Sequence, residues 1–273
     1  MPEGVVAPYF TDPTESFVLY QGDCLKLIEA LGENQFDLIF ADPPYFLSNG
    51  GVTCKNGKMV SVNKGKWDKS KGAVENHKFN LQWLEACQKA LTPNGTIFVS
   101  GTHHTIYSIG FAMQQLGFKI LNNITWFKPN PPPNLSCRYF THTTETILWA
   151  AKSTKSKHHF NYKDMKAENG GKQMRSMWNF KPPRKAEKKH GKHPTQKPLP
   201  LIERIIRSAS DPGQRVLDPF NGSGTTGIAA LKQGRRYVGI ELDPQYLDLT
   251  LSRYQELVPG VAEQDQPRTA LGF

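Results

Sequence analysis

Cysteine is scarce, with four in 273 residues: Cys24, Cys54, Cys87 and Cys137. No two stand as Cys-x-x-Cys, which excludes a zinc ribbon or a dithiol redox pair, and a chain this long needs no disulfide framework. No apolar run nears the ~20 residues that cross a bilayer. Met1-Pro2-Glu3-Gly4 lacks both the basic and the apolar region of a secretory signal, so none is expected. The paired histidines His103-His104 and His158-His159 have no carboxylate or thiol at ligand spacing, and they read as polar surface residues with no metal between them. Internal repeats are absent.

Positive charge is abundant and unevenly spread. The net charge is +10, and residues 152–192 hold thirteen Lys or Arg against three Asp or Glu, which accounts for all of it. One segment with such an excess reads as a phosphate-binding surface. Hydrophobic residues make up 38 %, enough for a globular core.

Patterning along the chain alternates strand and helix. Residues 1–16 form an N-terminal arm. Phe17–Tyr20, Asp37–Ala41, Thr96–Ser100, Arg215–Asp218 and Tyr237–Ile240 are short apolar runs of strand type, and Phe118–Lys128 with Glu145–Ala151 read as an antiparallel pair. Helical spacing appears over Cys24–Leu31, Phe79–Leu91, Thr105–Leu116, Pro198–Ser210, Thr225–Gln233 and Pro244–Leu257. Residues 46–78 lack a period and read as a mobile loop, and Pro93-Asn94-Gly95 as a turn. The expected fold is α/β: a mostly parallel, Rossmann-like sheet with one antiparallel strand and helices on both faces. The expected organisation is a catalytic half, 17–151; a recognition insert, 152–192; a cofactor half of the same domain, 193–257; and a tail, 258–273. Ligands of such sheets bind beyond the carboxyl ends of the strands. Asp23, Asp42, Gly222 and Glu241 all fall there.

Asp218-Pro219-Phe220-Asn221-Gly222-Ser223-Gly224-Thr225 lies between a strand and a helix. It is a glycine turn without the third glycine of the dinucleotide fingerprint, which suits a ligand without pyrophosphate. Glu241 ends the next strand, where a carboxylate can take ribose hydroxyls. Asp42-Pro43-Pro44-Tyr45 follows another strand. An exocyclic amine is a poor nucleophile because its lone pair is conjugated into the ring. Asp42 and the Pro43 carbonyl can accept its two hydrogens, the prolines hold those acceptors in place, and the Tyr45 ring can stack on a flipped base.

These motifs, together with His193-Pro194-Thr195-Gln196-Lys197-Pro198 and the order catalytic loop, basic insert, cofactor loop, make the chain resemble the β group of amino-directed DNA methyltransferases. That family covers adenine-N6 and cytosine-N4 enzymes, with a circularly permuted motif order. The chain is particularly similar to the small adenine methyltransferases of restriction systems, including one that modifies GATC. Resemblance implies S-adenosylmethionine as cofactor. Phe220, Gly222 and Gly224 would wrap its methionine end, with Asn221, Ser223 and Thr225 in the same loop and Asp218 beside it. Glu241 would hold the ribose, Thr195 and Lys197 the amino acid part, and Asp23 the adenine. Asp23 reads equally as the N-cap of the helix that starts at Cys24. The absence of a Pro-Cys dipeptide argues against cysteine-dependent cytosine-C5 chemistry.

DNA contacts are expected from Lys64, Lys66, Arg138, Tyr139, Arg175, Arg184, Lys185, Lys188 and Lys189, with Arg175 and Arg184 as base readers and the lysines on phosphates. Trp126 and Trp178 read as core. Family habit puts Asp first in the catalytic motif for adenine and Ser for cytosine, so adenine N6 is favoured and cytosine N4 is the alternative. Two further readings are an RNA methyltransferase, disfavoured by the motif order, and a retired DNA-binding regulator, disfavoured by intact Asp42 and Glu241. The partners implied are double- or single-stranded DNA, a cognate restriction endonuclease and a second copy of the chain, with no membrane. The expected setting is the bacterial cytoplasm, at the nucleoid.

Overall fold

A computed structural model of the protein describes residues 6–48, 52–55, 58–61, 68–131 and 133–258. Among these, nine strands form one sheet in the order β1-β2-β11-β10-β3-β6-β8-β7-β9. They are β1 (Phe10–Thr11), β2 (Phe17–Gln21), β3 (Phe36–Ala41), β6 (Leu91–Gly101), β7 (Lys119–Phe127), β8 (Thr144–Ala151), β9 (Met177–Asn179), β10 (Arg215–Asp218) and β11 (Arg236–Glu241). The two remaining strands, β4 (Val52–Lys55) and β5 (Lys58–Ser61), make a separate antiparallel hairpin. The helices are α1 (Cys24–Leu31), α2 (Ala73–Ala90), α3 (Ile106–Gln115), α4 (Tyr162–Glu168), α5 (Leu199–Ala209), α6 (Thr225–Lys232) and α7 (Pro244–Leu257).

Strands β2, β11, β10, β3 and β6 run parallel. Side chains alternate between the two faces with period two. Leu38 and Phe40 of β3 enter one core with Ile202, Ile205 and Ile206 of α5, while Ile39 and Ala41 enter the other with Trp83, Leu84 and Cys87 of α2. Both faces of the sheet are therefore covered. From β3 the chain passes through α2 to β6, and from the adjacent β10 it passes through α6 to β11 on the opposite face. The carboxyl ends of β3 and β10 thus flank a topological switch point, where α/β sheets open a crevice for ligand.

Several local expectations change. Strand β8 is antiparallel to β6 and β7, as the pairing of 118–128 with 145–151 implies, but the arm 1–16 supplies a second antiparallel strand, β1, on β2. Helix α2 begins at Ala73, six residues before the apolar period starts, and the hairpin β4-β5 occupies part of the segment read as a loop. Pro93-Asn94-Gly95 does not end the strand. β6 runs through it as a bulge, with Leu91 opposite Phe36 and Thr96 opposite Leu38. Residues 152–157 clasp that bulge: Lys152 N–H donates to the Gly95 carbonyl at 3.1 Å, and Ser156 Oγ to the Pro93 carbonyl at 2.7 Å. Within 152–192, β9 adds to the sheet edge beside β7, and Glu168 of α4 binds Arg204 and Arg207 of α5. The basic segment is packed onto the sheet and α5. Trp126 and Trp178 are buried, as core residues.

Candidate active site

Asp42 follows β3 directly. Its neighbour β6 sets Val99 opposite Ala41, which brings Ser100 level with Asp42. Ser100 Oγ donates to Asp42 Oδ1 at 2.5 Å, and Tyr45 Oη donates to the same oxygen at 2.6 Å. Lys197 Nζ reaches Oδ2 at 2.5 Å and also lies 3.1 Å from Tyr45 Oη. Burial pushes the Asp42 carboxyl up, but the Lys197 ammonium and the three hydrogen bonds outweigh it and hold the group below the usual carboxylate range. Burial likewise disfavours the Lys197 charge, yet Asp42 and Glu145 reverse the effect and raise its pKa. The Tyr45 hydroxyl is driven well above its ordinary value by burial and by the nearby carboxylates, so it stays a donor.

The loop after Asp42 is latched by a residue that sequence reading does not single out. Asp68, fully buried, accepts from Tyr45 N at 2.9 Å, Leu47 N at 3.1 Å and Ser48 Oγ at 2.8 Å. Between these contacts Phe46 takes φ 57°, a left-handed conformation costly for an aromatic residue and held by its neighbours. Only the two prolines of the motif were visible as rigidifying elements. The carboxylate that fixes the turn comes from 23 residues further along the chain.

A cavity of about 780 Å³ opens beside Asp42, lined by Gly22, Asp23, Cys24, Asp42, Pro44, Phe79, His193, Thr195, Pro219, Phe220, Gly222, Ile240, Glu241, Leu242, Asp243, Pro244 and Tyr246. Four of these are acidic and none is Lys or Arg. Its size falls in the range of roughly 300–1,000 Å³ usual for small-molecule sites. Acidic and aromatic walls suit a cationic nucleoside ligand, and the residues present therefore fit S-adenosylmethionine.

Of the residues expected at the cofactor, Asp23, Phe220, Gly222, Glu241 and Thr195 line this cavity. Asp23 also caps α1, with Oδ1 accepting from Leu25 N at 2.9 Å, so the N-cap reading holds in a residue that faces the cavity. Glu241 Oε2 accepts from Gly222 N at 2.7 Å, and Oε1 from Leu242 N at 2.9 Å and Asp243 N at 3.0 Å. A carboxylate has about four lone-pair sites, so one remains for a ribose hydroxyl where the sequence suggested two. Burial raises the Glu241 pKa, and the backbone donors offset part of that.

Of the other expected cofactor residues, Asp218, Asn221, Ser223, Thr225 and Lys197 line a small recess that adjoins the cavity at Thr195, Phe220 and Gly222. Asn221 pins the turn, accepting from Tyr237 Oη at 2.8 Å and donating to Thr250 Oγ1 at 2.9 Å. Gly224 has φ 70°, and a Cβ there would lie 2.4 Å from Thr250 Cγ2. The close approach that requires its glycine is therefore to α7, in place of the ligand. Arg253 of α7 donates to the Ser223 carbonyl and to Thr225 Oγ1, at 2.5 and 3.0 Å. Asp218 accepts from Phe220 N at 3.0 Å and Thr226 Oγ1 at 2.5 Å. Burial, only partly offset by those bonds and reinforced by Asp42 and Glu241, raises its pKa to about 7. Lys197 is directed to Asp42 and lines the same small recess beside the main cavity. His193, Tyr246 and Phe79 line the cavity without having been singled out. His193 was legible in its motif, while Tyr246 and Phe79 are brought in by helices.

Of the residues expected to contact DNA, Arg138 and Tyr139 are exposed on the loop that joins β7 to β8. Arg175, Arg184 and Lys185 are exposed and Lys188 is half-buried. Lys189 is committed to Glu256 of α7 at 2.5 Å, an exposed pair of little energetic weight. Lys64 and Lys66 lie outside the described residues. Among the described residues no helix is long and apolar enough to cross a membrane.

A family model described as DNA methylase matches residues 36–252. Type II methyltransferase M2.MboI of Moraxella bovis is 49 % identical over 254 residues, covering 93 % of each chain. Type II methyltransferase M2.DpnII of Streptococcus pneumoniae is 51 % identical over 249 residues, 91 % of this chain and 92 % of that one. Among solved structures, the M1.HpyAVI–SAM complex aligns with TM-score 0.63 at 27 % identity, over 87 % of this chain and 98 % of that chain. The cytosine-N4-specific PvuII DNA methyltransferase shares the fold with TM-score 0.72 at 21 % identity, over 90 % of this chain and 88 % of its own. With the crevice at the switch point, the acidic cavity and Asp42 at its wall, the chain belongs to the N6/N4 DNA methylase family and is an S-adenosylmethionine-dependent DNA methyltransferase.

Proposed function

We propose that the target is the N6 amine of adenine, flipped out of its stack onto the loop 42–45. The observation that carries this reading is Asp42 itself: an aspartate, held ionised by Lys197, at the wall of the cofactor cavity. Asp42 and the Pro43 carbonyl accept the two amino hydrogens and turn the nitrogen lone pair out of the ring. When bound, the cofactor supplies a methyl group on a cationic sulfur. The new nitrogen–carbon bond is made with the amine's lone pair, the carbon–sulfur pair stays on sulfur, and the surplus proton leaves by the hydrogen bond to Asp42. A carboxylate with a depressed pKa is an orienting acceptor more than a strong base, and orientation is what this amine lacks. Glu241 and Asp23 hold the nucleoside part of the cofactor, and Phe220 and Gly222 its other end.

DNA lies over the carboxyl ends of the strands, with Arg138, Tyr139, Arg175, Arg184, Lys185 and Lys188 on its backbone and base edges. Residues 152–192 act as the recognition segment between the catalytic half, 17–151, and the cofactor half, 193–257. The relatives are bacterial proteins named Type II methyltransferases, which supports a cognate restriction endonuclease as companion and the bacterial cytoplasm as the setting, with a second copy of the chain as a further partner.

Methyl-labelled cofactor and duplex DNA, followed by digestion to nucleosides and mass spectrometry, test the base. N6-methyldeoxyadenosine is the expected product. N4-methyldeoxycytidine would establish the second reading, which the same acceptors could serve. Label in RNA alone would contradict both.

A further inference from the structure

Asp42 is nearly saturated before any base arrives. Oδ1 takes Ser100 and Tyr45, Oδ2 takes Lys197, and about one lone-pair site remains of four. Lys197 sits between two carboxylates. Its Nζ is 2.5 Å from Asp42 Oδ2 and 3.8 Å from Glu145 Oε2, and its side chain is 6 % exposed. Glu145, at the start of β8, is itself nearly buried. Its Oε1 is bound by Lys128 Nζ, and its Oε2 lies 3.5 Å from Tyr45 Oη. We propose that Lys197 is a positioning cation shared by Asp42 and Glu145, and that it moves onto Glu145 when the base amine takes its place on Asp42.

The charges permit the move. Asp42, Glu145, Lys197 and Lys128 form a group of two anions and two cations, and the move is short enough to leave Nζ within ion-pair distance of Asp42, so neither buried carboxylate loses its cation, the event that makes breaking a buried ion pair costly. A shift of Nζ by about 1 Å brings it within hydrogen-bond range of Glu145. Tyr45 Oη, 3.1 Å from Lys197 and within reach of both carboxylates, can stay bound throughout. Before the base enters, Lys197 keeps Asp42 ionised and in place. Afterwards the amine inherits a preorganised acceptor, and Glu145 retains the cation. Glu145 is thus a positioning residue acting through Lys197.

The inference rests on Asp42 as the amine's acceptor, and its test separates the two claims. Full-length wild-type protein, Glu145→Gln, Lys197→Met, the double variant and Asp42→Asn are compared by single-turnover methyl transfer to DNA, with cofactor affinity measured by calorimetry. Glu145→Gln should slow transfer about tenfold with cofactor Kd unchanged within about threefold. The double variant should be no slower than the slower single, because residues acting as a unit are not additive. Wild-type rates in Glu145→Gln, or multiplicative losses in the double variant, overturn the proposal. So does a Lys197→Met variant whose cofactor affinity falls as far as its rate, which would return Lys197 to the cofactor; this arm decides the matter even if Glu145→Gln does not fold. If Asp42→Asn alone transfers at the wild-type rate, the underlying reading fails instead.

Discussion

The Lys197 ammonium lies 2.5 Å from the Asp42 carboxylate across 155 residues of chain, joining the motif that follows the basic segment to the catalytic loop that precedes it. The pair sits where the carboxyl ends of β3 and β10 diverge. It is the contact that keeps a buried aspartate ionised, and it makes the site's activity depend on both motifs at once.

Asp68 offers a first test of how the catalytic loop is held. It fixes Tyr45, Leu47 and Ser48 from one carboxylate. Removing a buried hydrogen-bonded group of this kind costs about 1–3 kcal/mol, more when it is charged. Asp68→Ala should lower the melting midpoint by several degrees and slow methyl transfer, with cofactor affinity little changed. Thermal unfolding and single-turnover kinetics check this together.

Glu241→Ala should weaken cofactor binding. It removes a charged partner for the ligand and also frees the backbone N–H groups of Gly222, Leu242 and Asp243 that shape the turn. Charged hydrogen bonds contribute about 1.5–3 kcal/mol, so calorimetry should find Kd higher by about 10- to 100-fold.

Asp218 gives stability a pH dependence of its own. Its folded pKa is raised to about 7 by burial, against 3.8 as the ordinary value. Between those values the folded chain holds a proton that the unfolded chain has lost, so this group's contribution to stability falls as pH rises from about 4 to 7 and is flat above. Asp218→Asn removes the charge, its Oδ1 still accepting from Phe220 N and its amide NH2 donating to Thr226 Oγ1 in place of the bond that Asp218 accepts. The gap between variant and wild-type melting midpoints should grow in the variant's favour across that window in the cofactor-free protein.

How far the sequence could be read depends on where each signal lies. The central strands announce themselves because both of their faces are buried. The first turns of α2 do not: Val74 is 68 % exposed and the helix buries nothing until Asn80, so no apolar period marks residues 73–78. Hairpin β4-β5 carried a usable signal, since Asn56-Gly57 separates Lys55 from Lys58 and is a favoured two-residue turn sequence. Strand β9 has only three residues and owes its form to β7. At the site, Asp42, Phe220, Gly222 and Glu241 were legible as motifs at strand ends. Ser100, Glu145 and Asp68 were not, because sheet order and a long-range latch bring them to Asp42, and neither is written in local spacing.

Binding to DNA should be strongly salt-dependent. Each phosphate contact adds about 0.9 to the slope of log affinity against log salt, so replacing Lys185 and Lys188 together by Ala should reduce that slope by about 1.8 if each binds one phosphate. Arg175→Ala or Arg184→Ala should instead cost about 1–3 kcal/mol on the cognate site and relax the preference at one base pair. Fluorescence anisotropy over a salt series, with cognate and scrambled duplexes, distinguishes the two.

The most direct measurement is single-turnover methyl transfer to DNA by Asp42→Asn beside wild type, with cofactor affinity measured on the same preparations. Replacing a preorganised electrostatic partner costs on the order of 10²–10³ in rate. The predicted result is a loss of at least that size with cofactor Kd unchanged within about threefold. Undiminished transfer by Asp42→Asn would contradict the role given to this carboxylate.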